Sequence, residues 1–228
     1  MDSLIEQVLK ETDVAQNPYF RALNEGSFEK PDFVETQIQF HSAVDFFSRP
    51  MAAVAAKIPT AQRRKEILRN VWEEHGEGED LGTHGSTFLE FLHRLDGVSK
   101  ADVERRVLWP EVRIFNTTLV GAAVLDDYLV GVAMMGIIER MFVDISNWIG
   151  KATVNRGWIP RDRLVHYNVH EELDIRHADD FFDVLRPEWA EPKELTQYSI
   201  AQGLRLGASV FDGLYRGLYH SRKRRLYR

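Results

Sequence analysis

The chain has 228 residues and no cysteine. That absence removes disulfides, iron–sulfur clusters, thiolate zinc sites and every cysteine nucleophile. It also fits a cytoplasmic location. Long apolar runs are missing too. The longest uncharged stretch, Ile114 to Leu125, falls short of the roughly 18 apolar residues of a membrane span, so no membrane partner is expected. The opening Met1-Asp2-Ser3-Leu4-Ile5-Glu6 is acidic and polar, unlike a secretory signal. There is no excess of positive charge: 29 Lys and Arg against 35 Asp and Glu leave a net charge of −6. This balance argues against a nucleic-acid partner held by its phosphate backbone. The one basic cluster, Arg222, Lys223, Arg224, Arg225 and Arg228, reads as a solvated tail over residues 220–228. No low-complexity stretch and no long repeat is visible.

What is present is ordinary for a folded globular chain: 44% hydrophobic and 28% charged residues, enough to bury a core without a staple. The recurring signal is helical, strand-like alternation is nearly absent, and Gly and Pro fall at helix ends. Ser3 is expected to cap a short helix ending near Thr12. A second short helix over Asn17 to Leu23 closes at Gly26. A long helix follows Pro31 through Phe33, Ile38, Phe40, Val44, Phe47 and Met51, kinked at Pro50. Thr60 opens a helix over Ala61 to His75, and Gly76 and Gly78 end it. Ser86 caps Thr87 to Leu95. Pro110 starts a helix toward Gly121, and a long apolar helix runs from about Ala123 to Trp148. After a turn at Asn155 to Pro160, helices are expected over about Arg161 to Leu185 and Lys193 to Tyr219. The predicted fold is all-α, a single domain over 1–228, with about seven or more helices bundled around one core.

Three segments carry chemistry. In His170-Glu171-Glu172-Leu173-Asp174-Ile175-Arg176-His177, positions i, i+4 and i+7 share one helix face. His170, Asp174 and His177 therefore project together, beside Leu173 and Phe181, and a metal ion would partner them. The alternative is an internal His–Asp stack or an exposed acidic face. His166 lies four residues earlier and is a rival ligand or a supporting residue. Second, Glu139 sits in a stripe of Tyr128, Val132, Met135, Phe142 and Val143, so its carboxylate faces the core, where lone carboxylates are rarely tolerated. The alternative is a buried Glu–Arg pair or a boundary glutamate. Third, Trp72-Glu73-Glu74-His75-Gly76-Glu77-Gly78-Glu79 and then His84 crowd carboxylates and imidazoles at a helix end. One carboxylate from Glu73 or Glu74 with Glu139, Asp174, His84, His170 and His177 gives three acids and three imidazoles. Two divalent cations would nearly neutralise that set, as in the di-iron and di-manganese helical bundles.

At these residues the chain resembles the haem-oxygenase-like di-iron oxidases, within the wider superfamily of thiaminase-type TenA and PQQ-synthesis protein C. The resemblance runs along nearly the whole chain. Asn17-Pro18-Tyr19-Phe20-Arg21-Ala22-Leu23-Asn24-Glu25-Gly26 looks like the opening helix of the superfamily, and Gln39 and His41 fall near its first core helix. Glu74-His75-Gly76-Glu77-Gly78 with His84, the lone Glu139, and the His-x3-Asp-x2-His of His170, Asp174 and His177 match its motifs in order. The resemblance selects Glu74 over Glu73 and makes His75 a non-ligand. It implies Glu74 and His84 on one iron, His170 and His177 near the other, and Glu139 and Asp174 shared. Glu35 and Asp45 are possible counterparts of a further carboxylate seen in some members.

The departures matter as well. Without cysteine, the thiaminase branch is disfavoured. Ile138 stands where the self-sacrificing para-aminobenzoate branch has tyrosine. The PQQ-synthesis branch lacks the full metal set. The resemblance therefore implies an O2-dependent oxidase or oxygenase with two irons per chain, or manganese. Its substrate would be a small amine or carboxylate, undergoing N-oxygenation, decarboxylation or C–C cleavage. Tyr128, Met134, Met135, Phe142 and Tyr167 are candidate pocket residues beside Gln39, His41 and His166. A homodimer is expected, with the last helix offering apolar surface for core and interface together. The competing readings are a non-enzymatic small-molecule-binding or regulatory protein on this scaffold, and a cofactorless oxidase using the same residues as acids and bases.

Overall fold

The computed structural model describes residues 1–167, 170–191 and 193–228, without the side chains of 170–174. Eleven α-helices are present among the described residues: α1 Asp2–Thr12, α2 Pro18–Asn24, α3 Lys30–Phe46, α4 Ser48–Lys57, α5 Ala61–Glu74, α6 His84–Asp96, α7 Lys100–Glu104, α8 Pro110–Leu125, α9 Tyr128–Asn155, α10 His170–Ala190 and α11 Glu194–Ser221. The only β pairing among them is an isolated bridge between Arg106 and Tyr227. None of these helices is long and apolar enough to cross a membrane.

Helix α9 is the axis of the bundle. Asp127 caps it, accepting the Leu129 N–H at 2.8 Å, and residues 129–139 are all buried. A helix apolar all round must be covered on all sides, and α2, α4, α8, α10 and α11 pack on it. Its neighbours come close because glycines line the contacts. A Cβ on Gly203 would stand 2.4 Å from the Val130 carbonyl oxygen, and one on Gly207 2.6 Å from that of Met134, so α11 lies almost on the α9 backbone. Gly136 does the same for α10: a Cβ there would stand 2.9 Å from side-chain atoms of Phe181 and Phe182. That close seating sets His177, one turn before Phe181, against the α9 turn that carries Glu139.

Several boundaries differ from the sequence reading. The first core helix breaks at Phe47, not at Pro50, because the proline ring clashes with the carbonyl four residues earlier; Pro50 then lies in the first turn of α4. Asp127 delays α9 to Tyr128, and α9 runs on to Asn155. Thr83, not Ser86, caps α6, accepting the Ser86 N–H at 3.2 Å. Met1, not Ser3, precedes α1. The helix expected from Arg161 begins at His170. Before it come a single 3-10 turn over Arg161–Arg163 and His166 at φ 62°, a left-handed conformation that no α-helix contains.

The basic tail is not free. Arg224 pairs with Glu111 at 3.0 Å, and Arg225 pairs with Asp32 at 2.9 Å and with Glu35 at 3.6 Å. Backbone bonds from Val107 to Leu226 and from Arg228 to Arg105 complete the fastening.

Candidate metal centre

The loop between α5 and α6 builds the first part of the centre. Gly76 adopts φ 71°, and a Cβ there would meet the Gly82 backbone at 2.6 Å. The loop closes on itself at this contact, so the last residue of α5 and the first of α6 meet. The Glu74 carboxylate, 4% exposed, touches His84 Nδ1. His75, next in the chain, points outward and caps α5, its Nδ1 2.7 Å from the Val71 carbonyl.

Helices α9 and α10 supply the rest. Glu139 and His177 are 4% and 1% exposed, and His177 Nδ1 stands 3.9 Å from Glu139 Oε1. One donor atom from each of Glu74, Glu139 and His177 lies within 4.8 Å of the others. On its far side, His177 Nε2 donates to Glu73 Oε2 at 2.8 Å. The side chains of His170 and Asp174 fall outside the described residues.

Beside these donors lies a cavity of about 40 Å³, room for a few water-sized molecules. Its wall is Phe40, Ala43, Val44, Phe47, Phe115, Ile138, Phe142 and Phe211; Glu74, His84, Glu139 and His166 form its polar end. His166 reaches this place from the loop before α10. Its Nδ1 is 3.2 Å from Thr87 Oγ1, and its ring centre is 5.8 Å from that of His84.

The structure places the other candidates elsewhere. Gln39 fastens the start of α8, accepting the Trp109 N–H at 2.9 Å and donating to the Val107 carbonyl at 3.2 Å. His41 bonds the Gly85 carbonyl at 3.2 Å outside the cavity, and burial holds its pKa below the usual imidazole value. Tyr128 faces Glu188 and Arg63; burial and the Glu188 carboxylate push it up to about 12. Met134 and Met135 are core residues of α9 outside the cavity wall. Tyr167 turns into a buried chain, its hydroxyl donating to Gln37 Oε1 at 2.7 Å while Gln37 donates to the Tyr19 oxygen at 2.7 Å. Burial drives the Tyr167 pKa well above the ordinary phenol value. Glu35 is bound to Arg106 at 3.0 Å and to Arg225, and Asp45 is exposed and rests against Gly85. Neither joins the centre. Phe47, Phe115 and Phe211 were not read as pocket residues in the sequence; they come from the α3–α4 break, α8 and α11, and no spacing within one helix marks them.

The donor set suits a metal. Two carboxylates buried side by side next to an apolar wall favour a cation between them. Among the described residues, His177 Nδ1 is buried without a hydrogen-bond partner, as a lone pair reserved for a cation would be. Carboxylate and imidazole donors match iron or manganese in the 2+ state. The family comparison agrees with this chemistry. A sequence profile described as that of an iron-containing redox enzyme matches residues 35–211. The chain belongs to this iron-containing redox enzyme family.

The matched span of the family covers Glu74, His84, Glu139 and His177. No curated protein matches the chain in sequence. Among solved structures, a CADD-like protein of unknown function from Nostoc punctiforme aligns at TM-score 0.76 and 14% identity, over 96% of this chain and 97% of that one. A domain of unknown function with a haem-oxygenase-like fold, from Shewanella denitrificans, aligns at 0.77 and 12%, over 96% and 92%. A TenA homologue from P. horikoshii aligns at 0.69 and 11%, over 96% and 97%. The likeness establishes that this family member has the haem-oxygenase-like fold.

Proposed function

We propose that this protein is a non-haem di-iron oxidase or oxygenase that uses O2 to oxidise a small organic substrate of the amine or carboxylate class. The observation that carries the reading is the convergence of Glu74, Glu139 and His177 on one buried point in a member of an iron-containing redox family. Glu74 and His84 would hold one metal, His170 and His177 the other, with Glu139 and Asp174 shared. Manganese suits the same donors. Iron bound there supplies the electrons and Lewis acidity that make O2 reactive toward closed-shell organic molecules.

The chain's own residues do the rest. Phe40, Phe115, Phe142 and Phe211 keep bulk water from the reacting atoms. The polar residues are gathered at one end of the cavity, so the substrate has one polar anchor there and an apolar body along the phenylalanine wall. A body larger than the cavity must displace side chains, and Phe47 and Phe142 are only half-buried.

The test is oxygen uptake by Fe(II)-loaded protein over panels of amines and carboxylates, before and after complete chelation. Uptake that requires both metal and a substrate of this class is expected. Turnover that survives complete chelation would overturn the proposal in favour of a cofactorless oxidase.

A further inference from the structure

Glu73 adjoins the ligand candidate Glu74 yet points another way. Neighbours on a helix project about 100° apart, so Glu74 turns to the cavity while Glu73 turns to α10. There the Glu73 carboxylate is held from two sides. Arg176 donates to its Oε2, and Arg69 Nε lies 3.8 Å from its Oε1. Between these guanidinium groups it receives the Nε2 hydrogen of His177 at 2.8 Å. An ionised carboxylate only accepts hydrogen bonds, so this contact puts the imidazole proton on Nε2. The lone pair is then on Nδ1, the atom that faces Glu139 and has no hydrogen-bond partner among the described residues.

We propose that Glu73 is a positioning residue: it fixes the tautomer and ring orientation of His177 so that Nδ1 is presented to the metal. The inference rests on the metal-centre reading above. It assigns a role to the carboxylate that the ligand set leaves aside, and it explains why two arginines surround it. Orienting carboxylates of this kind typically raise metal affinity roughly 10–100-fold. A plain fastening of α5 to α10 would also use Glu73, Arg69 and Arg176, but it would not depend on which imidazole nitrogen carries the proton.

Two measurements separate the roles. In the first, Fe(II) affinity is read anaerobically by competition with a chromophoric chelator for wild type, Glu73→Ala and Glu73→Gln. Glutamine keeps an acceptor oxygen and loses the charge. The expected result is a loss of roughly 10–100-fold in Glu73→Ala, with Glu73→Gln recovering most of it. In the second, long-range proton–nitrogen correlation spectra of metal-free, 15N-histidine-labelled full-length protein report the His177 tautomer. The proton is expected on Nε2 in wild type and is expected to redistribute in Glu73→Ala. Equal affinity in wild type and Glu73→Ala overturns the positioning role and leaves the metal centre standing. A proton on Nδ1 in the wild type also overturns it, whether or not the variants fold. A wild type that takes up no Fe(II) overturns both readings.

Discussion

His41 and His177 are both withdrawn from solvent, and their surroundings use them in opposite ways. His177 has the Glu73 carboxylate on Nε2 and, among the described residues, no hydrogen-bond partner on Nδ1. His41 meets the Gly85 carbonyl, and burial lowers its pKa, with Lys100 adding to it, although Asp45 and that carbonyl pull the other way. The folded chain thus binds the His41 proton less readily than the unfolded chain does. On acidification through the ordinary imidazole value of 6.5, the unfolded state takes up this proton first, so the His41 contribution to stability is present above that value and lost below it. His41→Gln, which can still donate to the carbonyl but does not titrate, is expected to flatten the pH dependence of the urea midpoint between about pH 7 and pH 5. An unchanged acid slope would contradict the assignment. Glu139 was legible as a lone carboxylate in an apolar helix and His177 by its helical spacing, whereas Glu74 was singled out from Glu73 only by the family resemblance. The sequence offered Glu73 only as an alternative ligand, since the contact with His177 depends on α10 lying against α5. His166 was misplaced on a helix for a related reason: a left-handed residue in a loop leaves no periodic trace.

At the level of elements, helix existence was readable and helix ends were less so. The stripe over Tyr128 to Ile138 announced a buried helix, and the structure buries it from Leu129 on. Whether Ser or Thr caps α6, or where a proline breaks α3 from α4, depends on competing local contacts that composition does not rank. The seating of α11 on α9 was invisible in the sequence, since Gly203 and Gly207 matter only for what they touch. Both face backbone oxygens of α9 across gaps too small for a methyl group. Gly203→Ala must push the two helices apart against a close-packed core, at a cost of about 1–3 kcal/mol. Thermal unfolding is expected to report it as a lowered midpoint. Gly213→Ala, on the same helix with open space around its Cβ position, is the control and is expected to keep or raise the midpoint, because alanine favours helix. Equal midpoints for the two variants would contradict the packing account.

For the molecule as a whole, the fold brings candidate ligands from separate helices together in the interior. Glu74 ends α5, His84 begins α6, Glu139 lies mid-way along α9 and His177 within α10. The ends of the chain are tied to the same body. The tail that reads as solvated is bound through Arg224 and Arg225 to the acids of α3 and α8, because acidic partners distant in sequence await it. Part of the apolar stripe of α11 enters the core: Leu204, Phe211, Leu214 and Leu218 are buried, while Leu206, Val210 and Tyr219 are half-buried. The central claim is that the buried acids and imidazoles are a metal centre and not a polar network. Anaerobic equilibration with Fe(II), followed by metal analysis of the wild type and of His177→Ala with helicity monitored, tests it most directly. The account predicts about two irons per wild-type chain, as in the carboxylate-bridged bundles, and loss of stoichiometric loading in a His177→Ala chain that stays helical. No iron above background in folded wild type, or full loading of the variant, would contradict it.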